Sequence, residues 1–352
     1  MLFTPGPVDL TKEIGAAQEK RMISHRGSEY HELHSRVVEN ARRLMDCDDA
    51  FIITGSGSAG IEACVASSVR EGEKALVCHN GVFGERLLAT CLLHGAAASG
   101  EKLGYGLGFS LERAKAAIDA AKPSFFGIVL NETSTAVCND VRDACLYAKK
   151  SGALVFVDGV SGVGGHEFSM RLSGVDLCAV GSQKCIGAPP GLALVGASGG
   201  AIAHMKTVKP RTRYLDLNRF AEFSAKSETP FTPAISLIYA LDEALAGVFR
   251  EGLAARIGRH RKAGEFARAR LSQAGFALLA EKGFESNTLT AFRVSSPEEE
   301  KGIRDALKAR GFIVSGGMGE LKGKVVRIGH MANFSQEKLA ECVEAAVAWK
   351  KR

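Results

Sequence analysis

The chain has 352 residues, of which 46% are hydrophobic and 24% are charged. Both fractions are near the average for globular proteins and exclude a disordered, collagen-like or low-complexity chain. Lys and Arg exceed Asp and Glu by 45 to 39, a formal net charge of +6 without any long basic run. This mild excess argues against a nucleic-acid surface and suits small anionic ligands. At roughly 150 residues per domain, the length predicts about two domains.

The cysteines and the apolar runs indicate the compartment in which the protein is located. There are nine cysteines, an odd number, and no C-x-x-C pair. This pattern favours buried, reduced thiols over disulfides or a metal site. No run of 18 apolar residues predicts a membrane span, and the first ten residues lack the features of a signal peptide. We therefore predict a soluble, cytoplasmic protein.

Helix and strand patterns alternate through the first two thirds of the chain. Short apolar strands are predicted at 50–54, 74–78, 125–130, 154–157, 177–180 and 192–195. Helices are predicted between them at 61–69, 83–93 and 141–150. Apolar strands that alternate with helices are typical of an α/β fold with a mostly parallel central sheet flanked by helices.

The pattern changes after about residue 232. Helices are predicted at 233–249, 252–273, 297–310 and 336–350, with short strands at 289–294 and 325–328. This arrangement predicts a smaller α+β C-terminal domain. The predicted division is a large domain at 16–240 and a small domain formed by 241–352 with the N-terminal segment 1–15.

A glycine-rich turn at 55–60 fits the pattern G-x-G-x-x-G, follows a strand and opens a helix. A dinucleotide site would also need an acidic residue at the end of the next strand, but that strand runs into His79 and Asn80. The remaining alternatives are an ordinary tight turn and a phosphate site, because a helix N-terminus presents free backbone N–H groups.

Two further residues lie at predicted strand ends. Lys184 follows an apolar strand, where burial can turn a lysine into a nucleophilic amine, although a lone lysine is more often a solvated loop residue. Asp158 ends another strand and could pair with a cationic ring nitrogen or cap the next helix. A phosphate turn, a carboxylate and a lysine together are what pyridoxal phosphate (PLP) requires.

An ordered set of motifs extends this reading over nearly the whole chain. The motifs lie at 4–7, 25–26, 55–58, 80–86, 131–135, 157–161, 181–184, 232–241 and 326–329. With them the chain resembles the class V, fold-type I PLP-dependent aminotransferases, and is most similar to the alanine–glyoxylate and serine–pyruvate aminotransferase group. The resemblance implies that the large domain binds PLP.

The resemblance implies a role for each matching residue. Lys184 would form the Schiff base and move the substrate proton, and Asp158 would lie beside the pyridine nitrogen. Arg327 would hold the substrate carboxylate, although a surface strand arginine is the alternative, and Gly6 would lie near the substrate. The implied cofactor-binding residues are Ser56, Gly57, Ser58, Phe83, Thr133, Asp158, Gln183, Lys184 and Thr232. Without the resemblance, Phe83 would be taken for a core residue.

The resemblance also implies a homodimer that shares its active site between subunits. Thr232 would reach the phosphate of the neighbouring subunit. Some relatives have Tyr at the position of Thr229, so a second contact of this kind is in doubt. Small amino acid and 2-oxo acid substrates are expected, with no nucleic-acid or membrane partner.

The function so implied is ping-pong transamination between alanine or serine and glyoxylate or pyruvate. Aspartate or aminoethylphosphonate transamination is an alternative. Cysteine desulfuration is disfavoured, because residues 315–323 contain no cysteine and Phe83 stands where relatives with that activity have His. A non-catalytic protein with the same fold is another alternative.

Two polar stretches have simpler interpretations. His31 and His34 lie three residues apart on a predicted helix without further metal ligands nearby, so they predict a solvated face and no metal site. The basic stretch 256–270 predicts an amphipathic helix with a solvated face.

Overall fold

The computed structural model describes residues 1–351, which contain thirteen strands and thirteen α-helices. The strands are β1 (Leu2–Phe3), β2 (Asp49–Thr54), β3 (Lys74–His79), β4 (Ala97–Lys102), β5 (Phe125–Val129), β6 (Asn131–Glu132), β7 (Val137–Cys138), β8 (Leu154–Asp158), β9 (Leu177–Gly181), β10 (Leu192–Ala197), β11 (Leu289–Arg293), β12 (Ile313–Gly316) and β13 (Val325–Gly329). The helices are α1 (Lys12–Ala17), α2 (Ser28–Met45), α3 (Gly57–Ser68), α4 (Val82–Leu93), α5 (Leu111–Ala121), α6 (Val141–Lys150), α7 (Met170–Ser173), α8 (Gly199–Met205), α9 (Leu217–Ser224), α10 (Ile235–Glu251), α11 (Leu253–Gln273), α12 (Pro297–Lys308) and α13 (Gln336–Lys350).

The larger sheet has seven strands in the order β2-β10-β9-β8-β5-β3-β4. Neighbouring strands are parallel except for β10, which runs antiparallel to both β2 and β9. The predicted α/β fold with a mostly parallel sheet is confirmed. Because β5, β8 and β9 are parallel neighbours, their carboxyl ends lie together at one edge of the sheet.

Helices cover both faces of this sheet. Val155 and Val157 of β8 belong to the core on the side of α2, α6 and α10, whereas Phe156 belongs to the core on the side of α3 and α4. Burial on both faces explains why the strands read as continuous apolar runs rather than as alternating patterns.

The smaller sheet has the order β1-β12-β13-β11. Its core includes Phe3 of β1 together with apolar side chains of α11, α12 and α13. The N-terminal strand, parallel to β12, therefore belongs to the same sheet as the C-terminal strands. Neither β1, β12 nor β4 was predicted. The edge strand β4 is largely exposed and has the sequence AASGEK, so it lacks the apolar run by which the other strands were found.

The expectation of a solvated face at the two histidines of α2 is wrong for His34. His31 is partly exposed and its Nε2 lies 3.1 Å from Glu228. His34 is only 2% exposed, its ring packs against Tyr30, and burial lowers its pKa to about 4. A neutral His34 thus belongs to the core beneath α2.

The interpretation of the stretch 256–270 as a solvated basic face is also wrong in part. Arg256 is buried, forms an ion pair with Glu251 at 2.7 Å, and donates to the backbone carbonyl of Cys185 at 2.7 Å. His260 is buried one turn further along α11. The loop that follows β9 covers this part of the helix, which periodicity alone does not reveal. No helix within residues 1–351 is long and apolar enough to cross a membrane.

Candidate active site

Lys184 lies in the tight turn Ser182–Ile186 that follows β9. Its own backbone dihedrals (φ −105°, ψ −128°) are not helical, so the chain changes direction at this residue. Its Nζ donates to the backbone carbonyl of Pro5. Burial is the main reason that the pKa of the amine falls to about 8. A neutral amine is therefore accessible near neutral pH, as a nucleophile requires.

Asp158 ends β8, the strand next to β9, and is almost fully buried. Its Oδ1 accepts the backbone N–H of Val160 at 2.9 Å, and its other oxygen has no hydrogen-bond partner within residues 1–351. Burial raises the pKa of this carboxyl to about 7, although the Val160 hydrogen bond opposes the shift. A cationic partner at the free oxygen would restore its ionised form.

The turn Ser56–Ser58 lies at the N-terminus of α3, which begins at Gly57 rather than at the predicted residue 61. Within the described chain, the backbone N–H groups of Gly57 and Ser58 have no acceptor. A Cβ atom added to Gly57 would lie 2.8 Å from Cγ2 of Val160, so this turn packs directly on the turn that follows Asp158. The free N–H groups suit a phosphate.

Gln183, next to Lys184, has a side-chain amide oxygen that is buried without a hydrogen-bond partner in the described residues. This oxygen lies 2.9 Å from the position that a Cβ atom on Gly181 would take. Buried polar groups are rarely left unpaired, so an amide in this state indicates a place for a polar ligand.

Phe83 lies in the first turn of α4 and is half-buried, with the Arg86 guanidinium 5.1 Å from its ring centroid. Thr133 is buried, and its backbone carbonyl accepts a hydrogen bond from Arg327 at 2.6 Å. Phe83 is thus only partly buried and belongs to none of the buried cores of the fold.

Arg327 lies on β13 and is 5% exposed. Its Nε donates to the carbonyl of Gly316 at 2.8 Å, and burial lowers its pKa to about 10. No carboxylate of residues 1–351 lies within 4 Å of the guanidinium, although the group lines a cavity of about 970 Å³. A buried cation without an anionic partner is costly, so this arrangement favours a bound carboxylate.

Gly6 has a φ of +99°, a value that other residues adopt only with strain. A Cβ atom at this position would lie 2.6 Å from Cδ of Lys184. The N-terminal segment therefore passes directly over the lysine side chain, and only glycine allows so close an approach.

The structure does not bring Thr232 into this group. Thr232 is exposed and its side chain makes no hydrogen bond in the part of the chain that the structure describes. Thr229 is buried, and its hydroxyl donates to the carbonyl of Phe231 at 2.8 Å. A role for Thr232 in a neighbouring subunit stays a prediction.

Two residues of the site were missed in the sequence. Glu132 is a buried carboxylate that binds the backbone of Phe83, and Val160 packs between Gly57 and Gly181. The sequence shows only that α4 follows Gly81, which has no side chain to cap the helix, and this does not identify Glu132 as the group that does so.

One edge of the large sheet thus carries a lysine with a lowered pKa, a buried aspartate and a turn with free backbone N–H groups. This combination fits an α/β enzyme that uses a lysine amine and a phosphorylated ring cofactor. Residues 11–338 match the model of the family described as aminotransferase class-V. The chain belongs to this family and is a PLP-dependent transaminase, as the resemblance in the sequence predicted.

Individual relatives cover almost the whole chain. An uncharacterized aminotransferase of Methanocaldococcus jannaschii is 32% identical over 99% of this chain and 92% of its own length. The L-aspartate–glyoxylate aminotransferase of Paracoccus denitrificans is 31% identical over 95% of this chain and 87% of its own. The crystal structure of an alanine–glyoxylate aminotransferase from Nostoc sp. is 29% identical, with a TM-score of 0.94 over 100% of this chain and 95% of that one.

Proposed function

We propose that this transaminase transfers the amino group of a small amino acid, alanine or serine, to a small 2-oxo acid, glyoxylate or pyruvate, in two half-reactions of a ping-pong cycle. The observation that carries the proposal is the buried guanidinium of Arg327, which has no carboxylate partner within 4 Å in residues 1–351 and so provides a place for one α-carboxylate. The name of the Nostoc relative supports alanine and glyoxylate as the pair.

The residues at the sheet edge fit PLP. The free N–H groups of Gly57 and Ser58 would bind its phosphate. The side-chain NH2 group of Gln183 would donate to the same phosphate, whereas its unpaired amide oxygen can only accept a hydrogen bond. The free carboxylate oxygen of Asp158 would accept a hydrogen bond from the protonated pyridine nitrogen. Phe83 would cover one face of the ring.

Bound PLP supplies an aldehyde carbon and a ring that withdraws electrons from the substrate Cα. The amine of Lys184 would hold the cofactor at that aldehyde carbon and, as a free amine, would move the proton of the substrate Cα. Asp158 keeps the ring nitrogen protonated. Arg327 orients the substrate through its carboxylate, and Phe83 excludes water from the ring face.

Aspartate is a second candidate for the amino donor. In the cavity beside Arg327, Arg304 is paired with Glu300 and Lys301 is paired with Asp305. Lys322 lines the same cavity and has no acidic partner within 4 Å in residues 1–351, so it could receive a second carboxylate. The activity named for the Paracoccus relative agrees with this candidate.

Absorption spectra of the purified protein test the proposal. The visible band of bound PLP should disappear when alanine or serine is added and return when glyoxylate or pyruvate follows. Lys184→Ala should abolish both changes, whereas Lys338→Ala, at an exposed helix position paired only with Glu341, should preserve them. Unchanged spectra with every amino acid would overturn the proposal, and a response to aspartate alone would favour the second candidate.

The shared homodimeric site and the cytoplasmic location stay predictions of the sequence. Size-exclusion chromatography with light scattering would measure the oligomeric state directly.

A further inference from the structure

We propose that Glu132 is a positioning residue for the cofactor, because its buried carboxylate fixes the first turn of α4 and thereby the ring of Phe83. This inference rests on the proposed function in one respect, that Phe83 covers the ring of bound PLP.

The carboxylate of Glu132 is fully buried and accepts four hydrogen bonds. Its Oε2 accepts the backbone N–H groups of Phe83 at 3.0 Å and Gly84 at 3.1 Å. Its Oε1 accepts the backbone N–H of Ser134 at 3.0 Å and the hydroxyl of Ser134 at 2.6 Å. Three of these four donors are backbone N–H groups, which cannot accept a carboxyl proton, so the arrangement favours an ionised carboxylate.

Helix α4 depends on this carboxylate because it has no cap of its own. The preceding residue is Gly81, and the backbone N–H of Val82 donates instead to the hydroxyl of Ser134 at 3.0 Å. Glu132 and Ser134 together therefore satisfy the first three N–H groups of the helix from a distant segment. A Cβ atom on Gly81 would lie 2.5 Å from the carboxyl carbon of Glu132, so the helix start and the carboxylate are in direct contact.

The same segment reaches two other groups of the site. The backbone carbonyl of Thr133, between Glu132 and Ser134, accepts a hydrogen bond from Arg327. The charge of Glu132 also acts on Asp158, where it contributes to the raised pKa of that carboxyl. Burial raises the pKa of Glu132 itself, and its hydrogen bonds oppose this shift. Glu132 thus influences the ring through both the position of Phe83 and the charge at Asp158.

Equilibrium binding of PLP to the cofactor-free full-length chain, measured between pH 5 and pH 9, tests the role. Glu132→Gln keeps the size of the side chain but turns an NH2 group towards two of the four donors. We expect affinity at pH 8 to fall about three- to tenfold, the range for loss of one aromatic contact. PLP affinity should also fall as the pH drops and Asp158 becomes protonated. Because removal of the Glu132 charge lowers the pKa of Asp158, this fall should occur at lower pH in Glu132→Gln than in the wild type.

Two variants separate this role from general stability. Phe83→Leu should lower the affinity at pH 8 without changing the pH at which the affinity falls. In the double variant, Glu132→Gln should lower the affinity at pH 8 little further, since both substitutions act through the same ring. Glu281→Gln removes another carboxylate that binds a backbone N–H and Arg113, away from the site, and should leave PLP binding unchanged.

If Glu132→Gln lowers the unfolding temperature but binds PLP as the wild type does at every pH, Glu132 only supports the fold and the inference is wrong. If this variant does not fold, Glu132→Asp provides the test, because it keeps the charge and shortens the reach. The affinity of Glu132→Asp at pH 8 should fall, while the pH at which the affinity is lost should not change. An affinity equal to that of the wild type would overturn the inference. A wild-type chain that binds no PLP would instead contradict the proposed function.

Discussion

Asp158 should make the cofactor-free protein less stable than it would be with an uncharged residue at that position. Its pKa lies at about 7 instead of 3.8 because the carboxyl is buried. Between these two values the folded protein holds a proton that the unfolded chain has released, so this group lowers stability as the pH rises. At about 1.4 kcal/mol per pH unit, the cost reaches about 4 kcal/mol at pH 8 and is constant above about pH 7.

Asp158→Asn removes this cost at every pH. The asparagine oxygen can still accept the backbone N–H of Val160. Its NH2 group gains no partner, which costs about 1–3 kcal/mol. The net expectation at pH 8 is a cofactor-free variant that is more stable than the wild type by about 1–3 kcal/mol. The same variant should lose transamination, because it cannot hold the ring nitrogen protonated.

Urea unfolding of both cofactor-free proteins at pH 5, 6, 7 and 8 measures the effect. The free energy of unfolding of the variant, relative to the wild type, should rise by about 3 kcal/mol from pH 5 to pH 8. Groups that titrate alike in both proteins cancel in this difference. A difference that stays constant over this pH range would refute the assignment of a raised pKa to Asp158. Saturating PLP should reverse the order of stability, since only the wild type has the carboxylate proposed to bind the ring nitrogen.

Three further substitutions test other parts of the site. Arg327→Lys replaces a planar guanidinium, which can bind a carboxylate through two hydrogen bonds, with a single ammonium group. Steady-state kinetics should show a KM raised about 10- to 100-fold for both the amino acid and the 2-oxo acid, with a smaller change in kcat. An unchanged KM would place the carboxylate elsewhere. Gly6→Ala should slow the single-turnover rate, because its Cβ would overlap Lys184; a wild-type rate would show that the N-terminal segment does not approach the amine in solution. Arg256→Ala removes one of the two arginine partners of Glu251 and leaves two backbone carbonyls without this donor, so urea unfolding should show a loss of about 1–3 kcal/mol. A loss below about 0.5 kcal/mol would contradict these buried contacts.

The sequence predicted the sheet and the residues at its edge for a physical reason. A strand buried on both faces must be continuously apolar, so each such strand is visible as a run, and the polar residue that ends the run lies at the sheet edge. Asp158 and Lys184 were found in this way. The edge strand β4 was missed because it is polar and exposed, and a polar strand has the same composition as a loop.

The errors have a different origin. His34 and Arg256 both lie on helices whose periodicity is correct, but the side predicted to face solvent is covered by another part of the chain. Such covering depends on contacts between residues far apart in sequence. Glu132 was missed for the same reason, since it caps a helix that begins about fifty residues before it.

Contacts between the two sheets explain how an α-amino acid can be selected. Its amine and carboxylate are attached to one carbon. Under the proposed function, Lys184, which would hold the cofactor where the amine reacts, and Arg327, which would hold the carboxylate, must therefore be kept at a fixed separation. The amine of Lys184, beyond the large sheet, donates to the carbonyl of Pro5, which follows β1 of the small sheet. Arg327 of the small sheet donates to the carbonyl of Thr133 beside the large sheet.

These two contacts run in opposite directions across the same boundary, so a shift of one sheet against the other would disturb both together. The amine and the carboxylate are common to every amino acid, so recognition of these two groups does not distinguish one donor from another. Under the proposed function, the choice among alanine, serine and aspartate would come from the cavity beside Arg327, where Lys322 has no acidic partner within 4 Å in residues 1–351. A substitution there should change the ranking of donors and leave the chemistry at Lys184 intact.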